Sequence, residues 1–159
     1  MLMTIDKAAY LRKCLNYRNS QNRFGNLIGI VTTEIDDGYA KGYIDVTEKL
    51  RNPIGSVHGG CLYSLADSIG GAASASHGYI TPTVSGDMHF LSPALNCKRV
   101  WAEARELKHG KKMSTFDVRL TDENSRILAT AIFTYYNIGI PLENVFEQVE
   151  CECEKPDED

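Results

Sequence analysis

The chain has 159 residues, of which 43% are hydrophobic and 24% charged, and its formal net charge is -4. This length predicts one domain with its own core, and the sequence has no run of about 20 apolar residues that could cross a membrane. Eight of the 21 acidic residues lie in residues 143–159, so residues 1–142 carry a net charge of +3. That excess is too small to predict nucleic-acid binding.

The five cysteines and the N-terminus predict a cytoplasmic protein. The cysteines form neither an even framework nor metal-ligand spacing, which is typical of reduced intracellular thiols. Residues 1–10 lack the basic start and continuous apolar run of a signal peptide. Cys151 and Cys153 fall in the acidic C-terminal segment and receive no role, and no metal site is predicted.

The first part of the chain predicts a helix followed by a hairpin. Apolar residues at helical spacing over residues 4–16 indicate a short amphipathic helix, with Thr4 as its N-cap. Apolar residues then alternate at Leu27, Gly29 and Val31, and again over residues 40–46. The turn signal Asp-Asp-Gly between these runs predicts that they are two paired strands.

The strongest periodic signal is a single apolar stripe over residues 62–73, which predicts a long central helix ending at Gly78. Gly70 and Gly71 lie on the other side of this helix. They cost roughly 2 kcal/mol of helix propensity relative to alanine, so we expect close packing there.

Four further strands are predicted at residues 83–91, 99–107, 113–121 and 127–136, separated by turn-forming residues. The order of elements predicts an α+β fold in which a six-stranded antiparallel sheet wraps around the central helix. Such a sheet exposes an edge or a face, so we expect pairing with a second copy. Residues 1–142 would form this domain, and residues 143–159 a flexible acidic tail.

The candidate site is the string NPIGSVHGG at residues 52–60, followed seven residues later by Asp67. Gly59 and Gly60 open the central helix, where free backbone N–H groups and the positive end of the helix dipole suit an oxyanion, and no side chain blocks the approach. Asp67 stands about 11 Å further along the same helix, too far to act on the same carbonyl carbon. We therefore expect an active site at a dimer interface, where Asp67 of one chain faces Gly59 of the other.

These residues resemble the signature of the PaaI-type hotdog-fold acyl-CoA thioesterases, and the similarity extends over residues 27–137. The resemblance implies that Asn52 and the Gly59 N–H hold and polarise the thioester carbonyl. It implies that His58 supports the loop or orients the acyl group, and that Ser85 on the next strand positions the attacking water. Asp67 of the partner subunit would be the nucleophile or the general base.

The predicted substrate is an acyl-coenzyme A with an aryl or fatty acyl group, hydrolysed without a metal or organic cofactor. Besides Gly60, the predicted substrate-binding residues are Tyr63, Met88 and Phe90 for the acyl group, with Lys111 and Lys112 for the coenzyme A phosphates. The resemblance implies a homodimer that assembles into a homotetramer. Two alternatives stay open: a hotdog hydratase or dehydratase, and a non-catalytic module that binds acyl-CoA as a sensor.

Overall fold

The structure is a computed structural model that describes residues 6–146. Its helices include α1 (Lys7–Gln21), α2 (Arg23–Ile28) and α3 (Gly59–Ala75), and residues 143–146 are also helical. Its strands are β1 (Ile30–Asp36), β2 (Tyr39–Asp45), β3 (Thr83–Phe90), β4 (Arg99–His109), β5 (Met113–Asp122) and β6 (Ile127–Tyr136). A short 3-10 turn, Glu48–Leu50, precedes the loop that leads into α3.

All six strands form one antiparallel sheet in the order β1-β2-β4-β5-β6-β3, and α3 packs against every one of them. The predicted apolar stripe of α3 is buried against the sheet: Leu62, Leu65, Ala66, Ile69, Ala72 and Ala73. Alternate residues of β4, β5 and β6 complete this core. The predicted α+β architecture, a sheet wrapped around a central helix, is confirmed.

Small residues let α3 approach the sheet closely. A Cβ at Gly70 would collide with the Tyr135 hydroxyl on β6, and a Cβ at Gly42 on β2 would collide with the Ile69 side chain. The close contacts at these positions offset the low helix propensity of the glycine pair in α3.

The N-terminal helix differs from its prediction at both ends. It begins at Lys7, where the Asp6 carboxylate accepts the Ala8 N–H at 3.1 Å, and it continues to Gln21. The predicted cap Thr4 lies outside the described residues. Tyr10, in α1, is buried and donates its hydroxyl hydrogen bond to the Ala75 carbonyl at 2.7 Å, which ties α1 to the end of α3.

Phe146 is also buried against α1, with ring centroids 6.1 Å from Tyr10 and 5.3 Å from Tyr17. The start of the predicted acidic tail therefore contacts the N-terminal helix. Residues 147–159 lie outside the described residues.

Two local predictions were wrong. Leu27 lies in α2 and is 80% exposed, because the Asn22 side chain caps a short helix that Gly29 ends at a φ of 85°. The strand therefore begins only at Ile30. The central helix ends at Ala75 rather than at Gly78, which lies in the following turn at a φ of 93°.

Strand β3 forms one edge of the sheet and pairs only with β6 among residues 6–146. Val84 and Phe90 on this strand are 55% and 56% exposed, and Leu91 after it is 58% exposed. An exposed edge strand with such apolar side chains is a template for pairing with another chain. No helix among the described residues is long and apolar enough to span a membrane.

Candidate active site

The loop before α3 folds around the side chain of Asn52. Its Oδ1 accepts the backbone N–H groups of Ile54 and Ser56, both at 3.1 Å, and its main-chain carbonyl accepts the Gly55 N–H at 2.9 Å. Gly55 adopts a φ of 81°, which glycine tolerates without strain. The Asn52 Nδ2 group takes no part in this turn. The loop therefore fixes the Asn52 side chain through Oδ1 and leaves its NH₂ donor outside the turn.

His58 is the N-cap of α3. Its Nδ1 accepts the Gly60 N–H at 2.9 Å, and its carbonyl accepts the N–H groups of Cys61 at 2.9 Å and Leu62 at 3.2 Å. These bonds engage the N–H groups of Gly60, Cys61 and Leu62 and do not involve that of Gly59. The structure thus gives His58 a capping role. It also distinguishes the two glycines, because the Gly60 N–H already donates to His58 Nδ1 and the Gly59 N–H does not.

Gly59 and Asn52 line the same cleft, which has a volume of about 320 Å³. The predicted acyl-group residue Phe90 also lies in this cleft, and a Cβ added to Gly59 would be 3.4 Å from Phe90 Cζ. The other walls are mainly apolar: Ile54, Val57, Leu62, Leu91, Pro93 and Ala94. A backbone donor and an amide side chain therefore meet at an apolar cleft, an arrangement that suits a carbonyl with an apolar substituent.

Asp67 lies in the middle of α3, where a threonine and a tyrosine fix it. The Thr83 hydroxyl donates to Asp67 Oδ1 at 2.7 Å, and the Tyr135 hydroxyl donates to the Asp67 main-chain carbonyl at 2.9 Å. Burial, followed by the nearby Asp67 carboxylate, raises the pKa of Tyr135 well above its usual value, so this phenol stays protonated and acts as a donor.

A second cleft, of about 310 Å³, surrounds the Asp67 carboxylate. Its lining is mostly polar and includes Thr83, Tyr135 and the α1 residues Tyr17 and Arg18. Arg18 Nη2 donates to the main-chain carbonyl of Ser68 at 2.7 Å, so α1 closes one side of this cleft. The N-terminal helix is thereby part of the surroundings of Asp67.

The two clefts have no lining residue in common. Gly59 and Asp67 are eight residues apart on one helix, which corresponds to about 12 Å. Within one protomer, the Gly59 amide and the Asp67 carboxylate are therefore too far apart to act on a single carbonyl carbon.

Thr83, not Ser85, contacts Asp67 within the protomer. Ser85 pairs with Thr134 on β6. The neighbours of Thr134 on β6 face the core, so Thr134 and Ser85 both point to the face of the sheet away from α3. A register shift between Thr83 and Ser85 turns Thr83 towards α3. Strand alternation alone could not reveal this shift, and the sequence analysis missed Thr83.

Tyr63 on α3 and Met88 on β3 line neither of these two clefts. The Tyr63 hydroxyl donates to the Gly86 carbonyl at 3.2 Å, and its ring packs edge-on against Phe133 at 5.1 Å. Met88 packs against the main core. In the isolated protomer both side chains support β3.

Lys111 and Lys112 lie in the turn between β4 and β5, beyond the C-terminal end of α3 and far from Gly59. Both are exposed, and Lys112 Nζ is 5.7 Å from the centre of the Tyr136 ring. They do not share a cleft with Asn52 in the protomer.

The cysteines of the described chain do not provide a nucleophile. Cys14, Cys61 and Cys97 are free and buried. Burial raises the pKa of Cys61, the cysteine nearest the start of α3, to about 11, so its thiol is protonated near neutral pH. The Cys61 thiol is therefore a poor nucleophile near neutral pH.

Comparison with known proteins identifies the family of this chain. The family described as Thioesterase superfamily matches residues 54–129, which include the first helical turn of α3 and Asp67. A 1,4-dihydroxy-2-naphthoyl-CoA hydrolase of Listeria monocytogenes is 31% identical over 104 residues, covering 64% of this chain and 84% of the relative.

The acyl-coenzyme A thioesterase PaaI of Escherichia coli is 28% identical over 112 residues, covering 70% of this chain and 80% of the relative. A solved structure of the E. coli PaaI protein superposes with a TM-score of 0.73 at 24% identity, covering 82% of this chain and 96% of that one. The chain therefore has the hotdog fold and belongs to the Thioesterase superfamily, as a thioester hydrolase of the PaaI type.

Proposed function

We propose that the protein hydrolyses an acyl-coenzyme A to the free acid and coenzyme A, at sites shared between two copies of the chain. In each site, Asn52 and Gly59 of one subunit would bind the thioester carbonyl, and Asp67 of the partner subunit would activate the attack. The observation that carries this proposal is the position of β3, whose two ends lie beside the two separate clefts.

Strand β3 provides the geometry for a shared site. Thr83 at its start contacts Asp67, and Phe90 at its end lies against Gly59. If the free edges of two β3 strands pair antiparallel about a two-fold axis, the start of each strand lies opposite the end of the other. This pairing would bring Asp67 of one subunit towards Gly59 of its partner, and it would cover the exposed apolar side chains of the edge.

The carbonyl-binding half of the site would act as an oxyanion hole. The Gly59 N–H stands at the positive end of the α3 dipole, and the loop leaves Asn52 Nδ2 available beside it. Two donors aimed at the carbonyl oxygen stabilise the negative charge that develops when the carbon is attacked. His58 supports this half indirectly, since it engages the neighbouring Gly60 amide.

The other half of the site would supply the carboxylate. The Thr83 hydroxyl holds Asp67 Oδ1, so Oδ2 can take a proton from water or attack the carbonyl carbon directly. When water attacks, the tetrahedral intermediate collapses with cleavage of the carbon–sulfur bond and releases the free acid and the thiolate of coenzyme A. When the carboxylate attacks, the same collapse releases the thiolate and leaves the acyl group on Asp67 as an anhydride, which a water molecule then hydrolyses to the free acid and the restored carboxylate. A thioester is reactive enough for a carboxylate and an oxyanion hole to suffice without a cofactor.

The substrate class is inferred from the relatives and from the cleft. Two relatives, the Listeria hydrolase and E. coli PaaI, are named for coenzyme A thioesters. The apolar walls beside Gly59 suit an aryl or fatty acyl group. Cytoplasmic location and assembly of the dimer into a tetramer remain sequence-based predictions, and light scattering would test the assembly.

The test is free thiol release from a panel of aryl and fatty acyl-CoA thioesters, with wild type, Asp67→Asn and the control Asp45→Asn. Asp45 is an exposed aspartate on β2, outside both clefts and away from β3. We expect turnover by wild type and Asp45→Asn, and a loss of about 10²- to 10⁴-fold in kcat for Asp67→Asn.

Thiol release separates hydrolysis from hydration or dehydration of the acyl chain, which leave the thioester intact. Equal turnover by Asp67→Asn and wild type would refute the role of the carboxylate. Saturable acyl-CoA binding with no thiol release across the panel would instead support a sensing module.

A further inference from the structure

Two histidines and a glutamate converge at the end of the molecule opposite Gly59. His77 follows α3, and Glu106 and His109 lie at the end of β4. Among the described residues they form a group in which one potential ligand atom of each lies within 4.8 Å of the others. None of the three lines the clefts around Gly59 and Asp67.

Both imidazoles approach the same oxygen of Glu106. His77 Nε2 is 2.8 Å from Glu106 Oε1, and His109 Nδ1 is 3.3 Å from the same oxygen. Two ligands on a tetrahedral zinc ion are about 3.3 Å apart, because each bond is about 2.0–2.2 Å long. The arrangement is therefore close to that of a three-ligand site. His109, whose side chain is 50% exposed and whose ring centroid lies 3.9 Å from that of His77, would make the remaining adjustment.

An aspartate lies behind the more buried histidine. Asp37 Oδ1 is 3.6 Å from His77 Nδ1, the ring nitrogen that faces away from Glu106. Lys7 Nζ holds the Asp37 carboxylate at 2.8 Å. A carboxylate that accepts a hydrogen bond from a histidine ligand fixes the ring orientation and raises its basicity, an arrangement common at metal sites. Asp37 would act in this way once it closes from 3.6 Å to hydrogen-bonding distance on metal binding.

We propose that His77 Nε2, Glu106 Oε1 and His109 Nδ1 bind a divalent transition-metal ion of the zinc type, with water as the fourth ligand. Two imidazoles and one carboxylate are a ligand set that zinc accepts. The ion would join the end of α3 to the end of β4, and through Asp37 to the β1–β2 turn. It would therefore stabilise the fold, with no part in thioester hydrolysis.

The test is a Zn²⁺ titration of chelator-stripped, full-length protein, followed by calorimetry and thermal unfolding. The background variant is Cys151→Ser/Cys153→Ser, because two thiols could bind zinc themselves. We expect one saturable Zn²⁺ per chain and a Tm that rises with Zn²⁺ concentration. Glu106→Gln and His109→Ala should abolish both effects, and Asp37→Asn should weaken binding by roughly 10- to 100-fold.

His89→Ala is the matched control. His89 is an exposed histidine 3.6 Å from an aspartate, and it lies away from the cluster, so its loss should leave Zn²⁺ binding unchanged. Histidine ring spectra of the wild-type chain give a readout that does not depend on any variant at the cluster. We expect Zn²⁺ to shift the His77 and His109 signals and not those of His89.

Absence of saturable binding would overturn the proposal, as would unchanged binding in Glu106→Gln and His109→Ala. These readouts do not involve thiol release. Failure of the zinc site and failure of the proposed thioesterase mechanism are therefore distinguishable.

Discussion

Replacing Gly59 by alanine should lower the activity and leave the folding stability intact. Gly59 does not have a positive φ, and the new Cβ would lie 3.4 Å from Phe90 Cζ, an ordinary van der Waals contact. Folding should therefore tolerate the methyl group, and the free energy of unfolding should stay equal or rise by about 0.4–1 kcal/mol, since alanine is the better helix former.

The same methyl group would project into the apolar cleft towards the Phe90 ring, where it would crowd a substrate carbonyl that approaches the Gly59 amide. A carbonyl oxygen must come within about 2.7–3.1 Å of the amide nitrogen to be stabilised, and a misplacement of 1 Å can cost about 10²-fold. We expect kcat/KM for acyl-CoA hydrolysis to fall by about 10²-fold, which corresponds to roughly 2.7 kcal/mol of transition-state stabilisation.

The assay is thiol release at several substrate concentrations, together with urea unfolding of the same samples. Ser64→Ala is the control, because Ser64 lies in the same first turns of α3 but outside both clefts. A Gly59→Ala protein that folds normally and keeps wild-type kcat/KM would refute the assignment of the carbonyl to this amide.

Three further changes have defined outcomes. Thr83→Val removes the 2.7 Å hydrogen bond to Asp67 and should lower kcat about 10-fold or more with little change in KM, while Thr83→Ser should retain activity in steady-state kinetics. Tyr135→Phe removes the 2.9 Å bond to the Asp67 carbonyl and should lower the free energy of unfolding in urea by about 0.5–1.5 kcal/mol. Burial opposes ionisation of Asp122, but hydrogen bonds from Arg126 and Asn124 hold its pKa below the usual range. The ionised Asp122 carboxylate therefore stabilises the fold fully above the unfolded-state pKa of about 3.9. This stabilisation is lost as the pH falls through the lower pKa of the folded state. Urea unfolding should show Asp122→Asn to be about 1–3 kcal/mol less stable at pH 7, with the difference shrinking below about pH 4.

The features predicted correctly from the sequence are those with a local physical signal. The apolar stripe of α3 has a clear helical period, and the strands after it are bounded by turn residues, so their bounds agree with the structure within two residues. Leu27 was misplaced because a period-two pattern over three positions is short, and the cap from Asn22 to Gly25 outweighs it.

Features that depend on tertiary geometry could not be predicted in the same way. The position of β3 beside β6, rather than beside β2, brings Thr83 to Asp67 and leaves an edge free, and no local pattern encodes that order. His77 and Glu106 are 29 positions apart in the sequence and meet only because the end of α3 packs on the end of β4. Metal-ligand spacing therefore could not reveal the cluster.

The most direct test of the shared active site is complementation between two inactive variants. Asp67→Asn and Asn52→Ala proteins would be unfolded together, refolded as a mixture and assayed for thiol release beside each variant treated alone. In a mixed dimer, one of the two sites combines an intact Asp67 with an intact Asn52 from the other chain.

Random pairing makes half of the dimers mixed, so the mixture should recover about a quarter of the wild-type activity. A site formed within a single chain would instead give a mixture no more active than the two variants alone. That result would contradict the assignment of Asp67 and Asn52 to different subunits.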